Sequence, residues 1–179
     1  NGENLDGWKA SENPGSFTVE DGVIKVAGKR SHLFYTGPVD NVDFENFEFK
    51  AKVKTTPGAN SGIYFHTEYQ QRGWPKKGYE SQINISHKDP QKSGSLYGAA
   101  KVTDPPAEDN EWYTHHIIVK DNHVTVKING ETVVDYTEPE NVSFKGWPGR
   151  KLSSGTFAIQ AHDPRSVVYI RDIKVKPLD

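Results

Sequence analysis

An all-β fold, a jelly-roll sandwich of two antiparallel sheets with a hollow on one face, is what this sequence predicts. Three observations carry that expectation. Apolar and polar residues alternate with a period of two from end to end, and no helical period runs beyond two turns. Apolar residues make up only 34% of the 179 positions, while aromatics reach 11%, so core volume has to come from large rings. The 16 glycines and 11 prolines punctuate short apolar runs in the way that many strands and tight turns require.

The strands follow in order. Phe17 and Val19 lead through Asp21-Gly22 to Ile24 and Val26, a hairpin whose turn pair readily adopts positive φ. Phe47, Phe49, Ala51 and Val53 alternate with Glu48, Lys50, Lys52 and Lys54, one face buried and one wet. Strands are also expected over Gly62–Glu68, Tyr79–Ser86, Thr114–Lys120, Thr156–His162 and Val167–Lys176. A second hairpin turns at Asn129-Gly130 between Val124–Ile128 and Thr132–Val134. Gly73–Gly78, Asp104–Glu111 (with room for one helical turn) and Ser143–Leu152 read as loops, and Trp8 and Trp112 as core. No linker or shift in composition divides the chain, so residues 1–179 are expected to form a single domain.

Charge and composition exclude several classes of function. Lys and Arg total 22 against 24 acids, with no basic stripe for nucleic acid. No apolar run is long enough for a membrane-spanning helix. Cysteine is absent, which removes disulfides, thiol catalysis and cysteine-bound zinc. Methionine is absent too, so a chain beginning at Asn1 is expected to have lost a leader or a tag.

Four strands carry an unusual outward face. A solvated strand face is commonly Lys, Glu and Thr. Here Tyr64 and His66 oppose Ile63 and Phe65; Glu80, Gln82 and Asn84 oppose Tyr79, Ile83 and Ile85. Gln160 and His162 oppose Phe157, Ile159 and Ala161, and Tyr169 shares a side with Arg171. Short or planar side chains with directional donors and acceptors suit a polyhydroxylated ligand. Trp74 and Trp147 lie in turn-rich loops, where indoles can stack on sugar rings, and Tyr97 is placed to line a rim. If these strands are neighbours, a carbohydrate site results.

The chemistry open to such a face is narrow. A conventional glycosidase pairs two carboxylates, and Glu80 is followed on its face by Gln82 and Asn84 instead. Glu80, His66 and His162 can perform proton transfer, since His titrates near neutrality and burial tunes Glu upward. The same three are possible metal ligands, but no ligand spacing supports a metal and none is assigned; no cofactor is identified.

In order along the chain, Leu5-Asp6-Gly7-Trp8, Asn60-Ser61-Gly62-Ile63-Tyr64-Phe65, Gly78-Tyr79-Glu80-Ser81-Gln82-Ile83, Gly94-Ser95-Leu96-Tyr97-Gly98, Trp112, Asn129-Gly130, Gln160-Ala161-His162 and Arg171-Asp172-Ile173 resemble the 3-keto-disaccharide hydrolase domain family. The resemblance spans nearly the whole chain. It implies a concanavalin A-like jelly roll, secreted, periplasmic or lipid-anchored on the outer surface of glycan-degrading bacteria. It also implies cleavage of 3-keto-glucosides by proton abstraction, elimination and hydration. On that basis Glu80 or His66 is the base, and His162 the acid or oxyanion donor. Gln82, Asn84, Gln160 and Arg171 hold hydroxyls or the ketone, with Tyr64, Trp74 and Tyr97 lining the sugar. The alternative is a noncatalytic carbohydrate-binding module or lectin using the same face.

Overall fold

The computed structural model describes residues 1–179. Twelve strands form two antiparallel sheets. In chain order they are β1 (Trp8–Ala10), β2 (Phe17–Glu20), β3 (Val23–Ala27), β4 (Ser31–Tyr35), β5 (Phe47–Thr55), β6 (Ser61–Thr67), β7 (Tyr79–Ile83), β8 (Tyr113–Lys120), β9 (His123–Ile128), β10 (Glu131–Thr137), β11 (Thr156–Ala161) and β12 (Val167–Pro177). The five-stranded sheet runs β1-β4-β11-β6-β7, and the seven-stranded sheet runs β10-β9-β8-β5-β12-β3-β2. Both predicted hairpins are present: Asp21-Gly22 and Asn129-Gly130 take positive φ at both turn residues, which matches the right-handed twist of the strands they join.

Alternation fills the interior. Ile63 and Phe65 of β6, Ile83 of β7, and Phe157 and Ile159 of β11 face Phe47, Phe49, Val53 and Ile170 of the other sheet in one core of 27 buried residues. Phe157 is its hub, with ring centroids 4.8 Å from each of Phe44, Phe47 and Phe49. Its truncation to Ala should cost about 3–5 kcal/mol.

Three expectations are corrected here. β12 joins the seven-stranded sheet, between β5 and β3, so it does not adjoin β6, β7 and β11. The strand that does complete the outward face is β4, whose neighbour is β11. Trp112 is not core; Lys54 and Arg171 lie over its ring on the outer surface. The Asp104–Glu111 loop has no helical turn, and the short 3₁₀ turns fall at Pro14–Ser16 and Val39–Val42.

Three buried histidines stay neutral. His32, His66 and His115 are held down by burial, to about 3, about 4 and about 3 respectively. A pKa below its unfolded value gives stability that is complete above about pH 6.5 and is lost as pH falls toward the folded value. Each such imidazole costs roughly 1.4 kcal/mol per pH unit below that point. The urea midpoint should therefore fall steeply between pH 6.5 and 4.5, and replacing His115 with an apolar residue should flatten the fall. A midpoint independent of pH over that range would contradict the burial of neutral imidazoles.

Candidate functional site

Strand register lays out the outward face of the five-stranded sheet as two rows. Tyr64 pairs with Glu80 across β6 and β7 and with Ala158 on β11, which pairs with Phe34 of β4. The neighbouring row is Gln82, Gly62, Gln160 and His32, from β7 across to β4. With strands about 4.8 Å apart, these side chains form a continuous polar floor. Loops wall it in, and twelve residues line a pocket of about 230 Å³, among them Tyr64, Trp74, Glu80, Gln82, Tyr97 and Gln160.

Glu80 sits at its centre, 6% exposed. Tyr64 Oη donates to its Oε2 (2.9 Å), and Gln160 Nε2 donates to its Oε1 (2.9 Å). Gly62 makes room for it: a Cβ there would lie 2.8 Å from Glu80 Cγ and closer still to Oε1. Burial pushes the Glu80 carboxyl up to about 7, against the Tyr64 hydrogen bond, the charge of Arg150 and the Gln160 hydrogen bond, all of which favour the anion.

Arg150 is the principal residue that sequence reasoning missed. It lies in the Ser143–Leu152 loop, where no periodicity singles it out. It is 9% exposed, its guanidinium stacks 4.0 Å above the ring of Trp147, and it approaches Tyr97 at 5.7 Å. No protein oxygen accepts a hydrogen bond from its guanidinium, whose buried Nη1 has no partner. Gln82 Oε1 and Gln160 Oε1 are likewise buried and unpaired. An orphaned cation and two orphaned carbonyls around one cavity are costly for folding alone. They match a ligand that brings an oxyanion and hydroxyl donors.

His162, just past the end of β11, lines the same pocket. Its Nδ1 donates to Asp163 Oδ2 (2.8 Å), which fixes the tautomer and leaves Nε2 without a protein partner. Burial opposes it, but hydrogen bonds from His162, Ser166 and the Arg165 amide hold Asp163 at about 2, so that acceptor is charged. Asp89 is a second acid at the pocket, also unforeseen. Its Oδ2 accepts from Tyr97 Oη (3.0 Å) and its Oδ1 from the Gln91 amide (2.8 Å), so both oxygens are occupied. Asn60 lines the pocket as well and contacts His87 Nδ1 at 3.2 Å.

Tyr64, Trp74, Glu80, Gln82, Tyr97, Gln160 and His162 are thus brought together, whereas three expected partners lie elsewhere. His66 has φ 54°, which breaks the alternation of β6. Its ring packs edge-on to Phe47, Nε2 donates to the Glu45 carbonyl (2.8 Å), and Nδ1 accepts from the Ser153 amide (3.1 Å). It ties β6 to two loops and has no nitrogen left for chemistry. Asn84 lies beyond the end of β7, fully buried, and donates to the carbonyls of Asp89 (3.0 Å) and Gln91 (2.9 Å). It folds the loop that carries Asp89 and touches no ligand space. Arg171 belongs to the other sheet, stacked 4.3 Å above Trp112. No group of three His, Asp or Glu side chains converges as a metal site.

Comparison with known proteins agrees with the fold. The sequence model of the 3-keto-alpha-glucoside-1,2-lyase-like domain family matches residues 1–176. A 3-keto-disaccharide hydrolase of Bacteroides thetaiotaomicron is 25% identical over 225 residues, covering 99% of this chain and 77% of that protein. A crystal structure from Parabacteroides distasonis, titled "putative glycosyl hydrolase", superposes with a TM-score of 0.81 at 25% identity, over 100% of this chain and 92% of that one. The carbohydrate binding module CBM66 of Bacillus subtilis shares the fold, with a TM-score of 0.67 at 9% identity over 95% of both chains.

Gly62→Ala tests the floor directly. Overpacking against Glu80 should destabilise the fold by about 1–3 kcal/mol and should lower the Glu80 titration midpoint toward the ordinary carboxylate range. Carboxyl ¹³C chemical shifts followed against pH measure the second effect; an unchanged midpoint would refute the contact.

Proposed function

Because the chain belongs to the 3-keto-alpha-glucoside-1,2-lyase-like domain family, we propose that it cleaves the glycosidic bond of 3-keto-glucosides by elimination and hydration. The observation that carries this reading is a single buried carboxylate, poised near neutrality, beside a buried guanidinium that no protein oxygen engages.

The ketone at C3 acidifies the hydrogen at C2. Glu80 removes that proton, and the C–H electron pair becomes the C2–C3 double bond of an enolate whose charge rests on the C3 oxygen. Arg150 neutralises that oxyanion in a water-poor site, where a fixed cation acts most strongly. Collapse of the enolate restores the ketone, forms the C1–C2 double bond and breaks the bond from C1 to the leaving oxygen. His162, as the imidazolium with its Nδ1–H on Asp163, delivers the Nε2 proton to that oxygen and is left as the neutral Nδ1–H tautomer. Water then adds, hydroxide to C1 and a proton to C2. Tyr64 and Gln160 orient the base; the free carbonyls of Gln82 and Gln160 accept from sugar hydroxyls.

Asp89 is the second carboxylate that a competing two-carboxylate mechanism would use; it holds Tyr97 Oη and the Gln91 amide on its oxygens as a wall of the pocket.

A base with a pKa near 7 must lose its proton to work, so kcat/KM should rise with pH through about 7. Glu80→Gln should lower kcat by roughly 10²–10⁴-fold, and Arg150→Gln by roughly 10²–10³-fold. In D₂O the released 3-keto sugar should carry deuterium at C2. Comparable cleavage of unoxidised glycosides with no deuterium at C2 would replace elimination with ordinary hydrolysis. Saturable sugar binding without product would replace the enzyme with a lectin. The raised folded pKa has a second consequence, because protonated Glu80 is favoured in the native state. Its contribution to stability is complete below about pH 4.5 and is lost as pH rises through about 7. Glu80→Gln should accordingly lose less stability than wild type between pH 5 and 8, as read by thermal unfolding.

A further inference from the structure

We infer that Trp74 is the platform for the leaving group, so that the site selects glucosides whose leaving group is itself a ring, a second sugar or an aryl group. The inference rests on the reaction proposed above and concerns which substrates that reaction accepts.

The direction comes from the order of groups across the sheet. Arg150, Trp147 and Tyr97 lie on the β7 side, where the Tyr97 amide bonds to the Glu80 carbonyl (2.9 Å). Glu80 and Gly62 mark the middle. His162 follows the end of β11, and Trp74 lies over β4 and that end, its ring 5.6 Å from His32 and 5.5 Å from His162. A ring with its C3 oxygen toward Arg150 and its C2 hydrogen at Glu80 sends its leaving oxygen toward His162. Whatever is attached to that oxygen meets the indole next. The pocket of about 230 Å³ is below the roughly 300 Å³ at which drug-sized sites begin, so its floor takes little more than one pyranose. The second group then extends to the open rim, which the exposed indole of Trp74 helps to line.

Trp74 is built as a platform and not as a plug. The residue remains 41% exposed, yet its backbone is pinned. Glu12 Oε1 accepts from both the Gly73 amide (3.2 Å) and Arg30 Nε (2.7 Å). Gln70 donates to the Trp74 carbonyl (2.8 Å) and accepts from the Lys76 amide (3.1 Å). The Arg30 guanidinium sits 5.3 Å from the indole centroid. An exposed indole held still loses little freedom on stacking, which is the condition for a ring-binding surface.

The test compares 3-keto-glucosides with a methyl, a 4-nitrophenyl and a glucosyl leaving group, using wild type, Trp74→Ala and Trp74→Phe. The ratio of kcat/KM for ring-bearing over methyl substrate should fall about tenfold in Trp74→Ala, mainly through KM, and Trp74→Phe should recover most of it. An unchanged ratio, whatever the absolute rates, overturns the platform. If wild type cleaves none of the three, the proposed reaction fails by itself. The platform is then judged by tryptophan fluorescence with the 3-keto disaccharide as titrant. Saturable quenching that disappears in Trp74→Ala upholds it; no quenching in wild type, or the same quenching in Trp74→Ala, overturns it.

Discussion

The Glu80 carboxylate lies across Gly62, both oxygens occupied by neutral donors and no cation within ion-pair distance. Each part of that arrangement follows from the pairing of β6 with β7. Register sets Tyr64 directly opposite Glu80 and Gly62 directly opposite Gln82, so the phenol reaches one oxygen while the position beside the carboxylate has no side chain. A slip of one residue would send Glu80 into the core and bring Ser81, now bonded to His115 inside the sandwich, out to the surface. The hydrophobic core and the chemistry of the pocket are therefore specified by the same alternation.

Arg150 influences that carboxylate without touching it. A contact ion pair would stabilise the anion strongly and suppress its basicity. A guanidinium held nearby by stacking on Trp147, with its nitrogens unclaimed, offsets only part of the burial penalty. Two opposite charges share a cavity and neither is consumed by the other. That separation leaves the cation free for an oxyanion on the ligand and the carboxylate free for a proton.

Much of the floor was legible in the alternation of β6, β7 and β11, because Tyr64, Glu80, Gln82 and Gln160 interrupt faces that would otherwise carry surface charge. The failures have physical causes. Arg171 and Tyr169 show the same parity as the floor residues, and parity reports which side of a strand a residue takes, never which sheet the strand joins. His66 is turned inward by a left-handed φ that a non-glycine residue seldom adopts and that no neighbouring residue announces. β4 escaped notice because Ser31, His32, Leu33 and Phe34 are buried on both faces, which erases the contrast that periodicity needs. Arg150 and Asp89 act from loops, whose placement depends on tertiary contacts such as Asn84 with Asp89.

The division between sheet and loops has a physical basis. A proton-transferring group works only if its distance to the reacting atom is held to a fraction of an ångström, and paired strands provide that rigidity. Recognition of the rest of a ligand tolerates more variation and is carried by Trp74, Tyr97, Trp147 and Arg150 on loops held by hydrogen bonds, such as Gly73 to Glu12 and Tyr97 to the Glu80 carbonyl, and by stacked rings. The polar floor weakens the sandwich, since His32, Gln82 and Gln160 all bury unpaired atoms there. The fold can carry that cost because the opposite face of the same strands contributes Ile63, Phe65, Ile83 and Phe157 to an uninterrupted core. Of the eight buried side-chain atoms without a partner, five belong to His32, Gln82, Gln160 and Arg150 around that one outward face, and this concentration is what distinguishes a binding surface from imperfect packing.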